Sequence, residues 1–334
     1  MDVDKIRISI GSAITLGLLT NKKLDTPPTT CYLMTYFSGK CSSNCSFCPQ
    51  ARNSKGASDR LSRINWPVFK FTDFLTKLKY MRPSKKFKRI CIQTLNYPQN
   101  FKDLTEIITQ VKKETSISIS TAIPPFSKEQ LRELKLIGIE RVGIALDGAT
   151  EDTFEKFKGK GVNSLYTWNE HYHKLIEATT IFSNSSVSTH LIYGLGDTQE
   201  QIVNLIYELN KYKISTALFA FMPIKGTNLE TLEQPNILDF RKLQLARDII
   251  VNKEKSLQDI TFNSKGEIIN FNINKQELMD IIKDSIAFMT TGCLYCNRPY
   301  YTSKPSGPIY NYPRKLEEFE KQEIYSQMKN LVNF

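Results

Sequence analysis

Three closely spaced cysteines are the residues of this chain best suited to chemistry. Cys41, Cys45 and Cys48 have a C-x3-C-x2-C spacing. Thiolates are the usual protein ligands of iron–sulfur clusters. Three of them leave one iron of a [4Fe-4S] cluster without a protein ligand, and an open metal position can bind a small molecule. The spacing therefore predicts a cluster with one iron open to a ligand.

The same three thiols would also suit a zinc site or a purely structural role. Zinc sites more often combine C-x2-C pairs with a second pair or with histidines. The three histidines, at positions 171, 173 and 190, are far along the chain from this motif. The spacing therefore favours iron–sulfur chemistry over zinc.

Phe47, directly before the third cysteine, completes a motif that resembles the cluster loop of the radical S-adenosylmethionine (SAM) superfamily. The resemblance implies that the open iron binds SAM, and that an electron from the cluster releases a 5′-deoxyadenosyl radical. This radical removes hydrogen from unactivated carbon, which no side chain does unaided. The same resemblance implies that SAM is contacted by Phe47, Thr94, Asn96, Asp147, His171, Gly194 and Gly196.

These further positions also have simpler interpretations. An Asp-Gly pair such as Asp147-Gly148 usually marks a turn, and glycine simply permits unusual backbone conformations. Thr94 and Asn96 follow a predicted strand and suit a turn equally well. A lone histidine on a helix is more often solvated than functional, and we expect this of His171. Their order along the chain, after the cysteine loop, is what supports a shared role.

Strand and helix patterns alternate along most of the chain. Predicted strands lie at 32–37, 89–94, 116–121, 141–146, 187–193 and 216–222, with a possible seventh at 259–263. Predicted helices lie between and after them, at 66–81, 104–113, 127–136, 150–182, 198–212, 238–253 and 275–288. This order predicts an α/β fold with a parallel (β/α) TIM-type barrel, complete or partial. Loops after the strands carry function in such barrels, and the cysteine loop directly follows the first strand.

We expect three segments: an N-terminal segment 1–30, a barrel 31–289 and an irregular C-terminal tail 290–334 rich in Pro, Tyr and Gly. No stretch approaches the roughly 20 apolar residues that a membrane helix needs. The N-terminus also lacks the features of a signal peptide. We therefore predict a cytoplasmic protein that does not contact a membrane.

The chain is basic, with a formal net charge of +11. Part of this charge lies in one run, formed by Lys77, Lys79, Arg82, Lys85, Lys86, Lys88 and Arg89. Such a run is either a solvated face or a surface for an acidic partner, which could be nucleic acid or an acidic carrier protein. No separate RNA-binding module is visible, which argues against nucleic acid.

Over most of the barrel the chain is similar to biotin synthase. The segment 89–98, which contains Cys91, matches the strand that carries one ligand of that enzyme's auxiliary [2Fe-2S] cluster. The other two cysteine ligands are replaced here by Ser118 and Ser188, and the arginine ligand has no counterpart near 262–265. These departures argue against biotin synthesis.

The tail instead resembles the biotin-synthase-like lipoyl synthases that work as two proteins and hold a second [4Fe-4S] cluster. The resemblance rests on segments 45–52, 291–301 and 307–314. It implies that Cys293 and Cys296 bind the auxiliary cluster, with Cys31 or Cys91 as a third ligand. Either cysteine could equally be a small buried hydrophobe. Two tail arginines are candidate carboxylate or phosphate ligands or plain surface charges, namely Arg298 and Arg314.

The resemblance implies sulfur insertion at C6 or C8 of an octanoyl group, with the auxiliary cluster as the sulfur source. The implied partners are an octanoylated lipoyl carrier protein or domain, a second radical SAM lipoyl synthase subunit and an electron donor such as ferredoxin. Two alternatives stay open. One is a radical SAM enzyme of another pathway, biotin-synthase-like, cofactor-building or methylthiolating. The other is a non-enzymatic zinc or nucleic-acid-binding protein.

Overall fold

The structure, a computed structural model, describes residues 3–20, 23–82, 87–183 and 185–333. Its strands are β1 (Lys5–Ile8), β2 (Thr30–Thr35), β3 (Arg60–Leu61), β4 (Ile64–Asn65), β5 (Val68–Lys70), β6 (Arg89–Gln93), β7 (Ile119–Ile123), β8 (Ile139–Ile144), β9 (Val187–Tyr193), β10 (Ser215–Ala220), β11 (Ile260–Phe262), β12 (Ile268–Asn274) and β13 (Val332–Asn333). Its α-helices are α1 (Ile10–Leu16), α2 (Phe71–Lys79), α3 (Asn100–Glu114), α4 (Lys128–Leu136), α5 (Glu151–Phe157), α6 (Trp168–Thr179), α7 (Gln199–Lys211), α8 (Ile237–Val251), α9 (Lys275–Asp284) and α10 (Glu318–Met328).

The main sheet of the described chain has eight strands in the order β10-β9-β8-β7-β6-β2-β1-β5. The strands from β10 to β2 are parallel to one another, while β1 lies antiparallel between β2 and β5. Helices connect the parallel strands, as the strand–helix repeat predicts. The prediction of a TIM-type barrel is therefore confirmed in its partial form.

Two elements differ from the prediction. The possible seventh strand exists as β11, but it pairs with β12 in a separate three-stranded sheet and does not extend the barrel. The tail is irregular only as far as residue 317. There a capping box between Glu317 and Glu320 starts α10, which buries Ile324 and Met328.

The tail covers the free edge of β10. The backbone N–H of Leu218 donates to Thr291 Oγ1 at 3.0 Å, and its carbonyl accepts from Asn311 Nδ2 at 3.2 Å. An edge strand leaves such groups unpaired unless something covers it. Farther along, Asn297 Oδ1 accepts from the backbone N–H of Thr29 at 3.0 Å, just before β2. The tail therefore joins the two ends of the parallel strand set.

The basic run does not form one solvated face. Lys77 and Lys79 are exposed at the end of α2. Arg89 is buried at the start of β6 and pairs with Glu140 at 2.6 Å. Lys85 and Lys86 lie outside the described residues. Within the described part of the chain, no helix is both long and apolar enough to cross a bilayer.

Candidate cluster and SAM site

The cysteine loop folds back on itself directly after β2. The backbone N–H of Cys41 donates to the carbonyl of Gln50 at 2.9 Å, and that of Cys48 donates to the carbonyl of Cys45 at 3.1 Å. The backbone N–H of Asn96 donates to Cys41 Sγ at 3.3 Å. The loop therefore sits on the carboxyl end of the neighbouring strand β6, where barrel enzymes place their active sites.

A cavity in the barrel interior gathers six of the seven cysteines. Its walls include the three cysteines of the loop and also Cys91, Cys293 and Cys296. The tail thus brings its two thiols into the same chamber as the cluster loop. This juxtaposition follows from the closure of the barrel by the tail, and sequence spacing alone does not define it.

Cys31 lies outside this chamber. On neighbouring strands, Cys31 pairs in register with Ile90, and Tyr32 pairs with Cys91. Successive side chains of a strand point to opposite faces. Cys31 and Ile90 are fully buried in the apolar core, whereas Cys91 lines the cavity. The two candidate third ligands therefore occupy opposite faces of the sheet.

Burial controls the ionisation of these thiols. It raises the pKa of Cys48 to about 12 and that of Cys91 to about 11, and it raises the pKa of Cys45 well above its ordinary value. Iron binds the thiolate form, so loading a cluster here is coupled to proton release. Among the described residues, no three His, Cys, Asp or Glu side chains converge on a point that could hold a single metal ion.

The predicted SAM residues on the β6 side line the cavity. Phe47, Thr94 and Asn96 all contribute to its wall. Thr94 Oγ1 donates to the carbonyl of Ala122 at 2.9 Å, which ties β6 to β7. Asn96 Nδ2 donates to Ser43 Oγ at 3.2 Å, which holds the cysteine loop. Both polar residues thus have structural bonds in addition to their place in the cavity wall.

Asp147 is a buried carboxylate with two basic side chains as partners. Its oxygens lie 2.7 Å from Lys158 Nζ and 2.8 Å from His190 Nε2. Burial by itself would raise the pKa of Asp147, but these two neighbours outweigh it and hold the pKa below its usual range. Its φ of 66° is uncommon for a residue other than glycine. Such strain is typical of functional positions.

The expectation that His171 is solvated is wrong. His171 is 1% exposed and lies against the rings of Phe154 and Tyr166, with centroids 4.9 and 4.5 Å away. Helix α6 turns this face towards the barrel, and His171 lines the cavity. Burial, with the Lys158 cation nearby, lowers the pKa of His171 to about 3. The side chain is therefore neutral at physiological pH.

The two predicted glycines follow β9. Gly194 and Gly196 have φ values of 108° and 121°, which L-residues with side chains rarely adopt. At Gly196 no heavy atom lies within 4 Å of the position that a Cβ would take, so the backbone faces open space. At Gly194 the same position would lie 3.0 Å from Phe221 Cβ. Neither predicted glycine is among the residues that line the cavity, and Gly196 is exposed.

The register of β6 and β7 decides which serine lies beside Cys91. Ser120 pairs with Cys91 and lines the cavity, whereas Ser118 precedes β7 and does not. Ser188, the other predicted replacement, lines the cavity from β9. The residue that pairs with Cys91 on β7 is thus Ser120 and not Ser118.

Two cavity residues carry no signal in the sequence. Lys158 ends α5 and reaches back to Asp147, and Tyr166 lies beside His171. Of the two tail arginines, Arg298 lines the cavity, while Arg314 pairs with Glu320 at 2.8 Å outside it.

Comparison with known proteins decides the family. A family model described as the Radical SAM superfamily matches residues 35–234, which is more than half of the chain. The chain belongs to the radical SAM superfamily. The matched segment begins with the end of β2 and contains the whole cysteine loop, and the family implies a [4Fe-4S] cluster and SAM.

Among radical SAM enzymes the chain is similar to biotin synthases. It is 24% identical to that of Methanococcus aeolicus over 237 residues, which covers 68% of each protein. It is 24% identical to that of Sulfurihydrogenibium sp. over 268 residues, covering 79% of this chain and 72% of the relative. The structure of the [FeFe]-hydrogenase maturase HydG shares the fold, with a TM-score of 0.50 and 16% identity. That match covers 66% of this chain but only 50% of HydG.

Proposed function

We propose that this radical SAM enzyme is a sulfurtransferase that inserts sulfur at C6 or C8 of a protein-bound octanoyl group. The product would be the lipoyl cofactor, made together with a partner subunit. One observation carries the proposal. Cys91, Cys293 and Cys296 line the same cavity as the cluster loop, so a second cluster would stand within reach of the SAM site.

The loop thiols fit the first cluster. Three cysteines on one short loop line the cavity, and the backbone N–H of Asn96 hydrogen-bonds the sulfur of Cys41. Hydrogen bonds to ligand sulfurs are a common feature of iron–sulfur sites. Bound there, the cluster and SAM supply a 5′-deoxyadenosyl radical that removes hydrogen from unactivated carbon. Phe47 lines the same cavity as the three cysteines.

The residues around the loop fit a SAM molecule. Thr94 and Asn96 line the same cavity as the cluster loop, where they would contact the amino group of SAM. Asp147 keeps a negative charge in a buried place, and Lys158 and His190 hold it there. His171, neutral and buried, would pack against the ligand without adding charge.

The three thiols deeper in the barrel fit the auxiliary cluster. Cys91 is the third ligand in this proposal because it lines the cavity with the tail pair, while Cys31 is buried on the opposite face. Three thiolates again leave one iron of a [4Fe-4S] cluster open. The protein's contribution is to hold this sulfur source and the SAM site in one chamber.

Apolar side chains support an alkyl substrate. A second cavity shares Phe219 with the first and extends past Phe221, Met222 and Ile224. Apolar walls of this kind bind hydrocarbon by excluding water. The octanoyl chain would lie along them, beside the cluster loop, because Cys48 also lines this second cavity. The net charge of +11 suits an acidic carrier domain as the protein that delivers it.

The test is sulfur insertion on the carrier itself. The anaerobically reconstituted enzyme would be reduced, by ferredoxin or a chemical reductant, and mixed with SAM, an octanoylated carrier domain and the partner subunit. We expect intact-mass spectra to show sulfur added to the octanoyl group. Cys293→Ala/Cys296→Ala is the control, because it should still cleave SAM but add no sulfur. SAM cleavage by the wild type without any sulfur on the carrier would contradict the proposal.

The biotin synthase relatives favour one second candidate, a biotin-synthase-like enzyme acting on a small molecule. Ser120 and Ser188 at the cavity wall count against it, because the chain then lacks two of the thiols that a biotin synthase uses there. Biotin formation, assayed in parallel with the carrier reaction, distinguishes the two candidates.

A further inference from the structure

The tail places a cation beside the three thiols proposed for the auxiliary cluster, Cys91, Cys293 and Cys296. Arg298 follows Cys296 by two residues and lines the cavity with it. The guanidinium carbon lies 5.8 Å from the ring centroid of Tyr32, 5.5 Å from that of Phe219 and 5.3 Å from that of Tyr301. These distances are typical of cation–π contacts, which hold the cation in place.

Among the described residues, no carboxylate forms an ion pair with Arg298. Within the described chain, the acidic groups that face Arg298 are thiols and phenols, chiefly those of Cys296, Cys91, Tyr301 and Tyr32. A cation enclosed by three rings is costly unless an anion accompanies it. The thiolates of a bound cluster would supply that anion.

Tyr32 adds a directed hydrogen bond. Its hydroxyl oxygen accepts the backbone N–H of Arg298 at 2.9 Å and lies 3.4 Å from Cys296 Sγ. Because the oxygen accepts from Arg298, its own hydrogen is available to the sulfur. Tyr32 is 1% exposed, so bulk water does not compete for this bond. On the next strand Gln93 Nε2 donates to Cys91 Sγ at 3.0 Å.

We propose that Arg298 and Tyr32 are positioning residues that neutralise and orient the thiolates of the auxiliary cluster. The inference rests on the proposed function, which places a cluster on these thiols. A thiolate-bound cluster gains negative charge when it is reduced. A nearby cation and hydrogen bonds to its sulfurs therefore stabilise the reduced form and raise the reduction potential.

The experiment isolates the auxiliary centre in the full-length chain. Cys41→Ala/Cys45→Ala/Cys48→Ala removes the loop ligands, so the remaining iron, about four atoms per chain, reports on the second site alone. Its midpoint potential would be measured by an EPR-monitored redox titration. In this background we expect Arg298→Gln and Tyr32→Phe each to shift the potential to more negative values. Arg298→Lys, which keeps the charge, should restore most of the wild-type potential.

Two exposed substitutions serve as controls. Arg132→Gln on α4 and Tyr80→Phe after α2 remove the same groups from the surface and should leave the potential unchanged. If Arg298→Gln and Tyr32→Phe retain their iron and the potential is unchanged, this inference is overturned. The proposal of an auxiliary cluster would not be affected by that result. A background variant that binds no iron would overturn both the inference and the cluster. Circular dichroism of each variant separates these results from misfolding.

Discussion

At the residue scale, the face of a strand decides which cysteine can bind iron. Cys31 and Cys91 lie on adjacent strands, one among apolar core residues and the other on the cavity wall. We therefore expect Cys91→Ala to lose most of the auxiliary iron and Cys31→Ala to keep it. Iron and sulfide analysis after anaerobic reconstitution measures this difference. Loss of iron in Cys31→Ala with full retention in Cys91→Ala would reverse the assignment.

The burial of His171 makes stability depend on pH. Its pKa of about 3 in the folded protein lies below the unfolded value of about 6.5, so the unfolded chain binds more protons between these pH values. Stability therefore falls as the pH drops through this window. Between pH 7 and pH 5 the loss from this group is about 2 kcal/mol.

Urea unfolding of the apoprotein at both pH values tests this effect. We expect His171→Gln to lose less stability between pH 7 and pH 5 than the wild type does. His173→Gln, at an exposed position of the same helix, is the matched control and should follow the wild type. An equal pH dependence in His171→Gln and the wild type would show that His171 is not a buried neutral group.

At the element scale, the tail stabilises β10 through single hydrogen bonds. Thr291→Val removes the acceptor of the Leu218 N–H and leaves that buried donor unpaired, which costs about 1–3 kcal/mol of unfolding free energy. Thr109→Val on the exposed face of α3 is the control, with an expected cost below about 0.5 kcal/mol. Equal unfolding free energies for the two variants would mean that the tail does not support this edge.

The parallel strands were predictable because each is a short apolar segment followed closely by a helical pattern. The strand–helix repeat missed β1 and β5, and it extended α2 to residue 66. Their antiparallel pairing joins Lys5–Ile8 to Val68–Lys70 across more than 50 residues, and local patterns carry no information about it. The helix α10 was missed because its apolar residues are few and its packing partners lie in α8 and α9.

The site residues also divide into those that local sequence predicts and those that only the fold brings together. Spacing identified Cys41, Cys45 and Cys48, because these ligands share one loop. Lys158 was not predictable, since it meets Asp147 only where the end of α5 folds back towards the residues that follow β8. The prediction that His171 is solvated was wrong, because a single histidine does not reveal which face of α6 is buried.

At the scale of the whole molecule, the central claim is that one barrel holds two iron–sulfur clusters facing a common chamber. The open side between β10 and β2 makes this possible, because the tail enters there and carries Cys293 and Cys296 to Cys91. A radical source and a sulfur source thus share one cavity in this account. Separate sites on the surface would not allow sulfur to reach a carbon radical.

The most direct measurement is a count of iron and sulfide after anaerobic reconstitution. We predict about eight irons per chain for the wild type and about four for Cys293→Ala/Cys296→Ala. About four irons in both proteins would leave a radical SAM enzyme without a sulfur source of its own, and would contradict the two-cluster account.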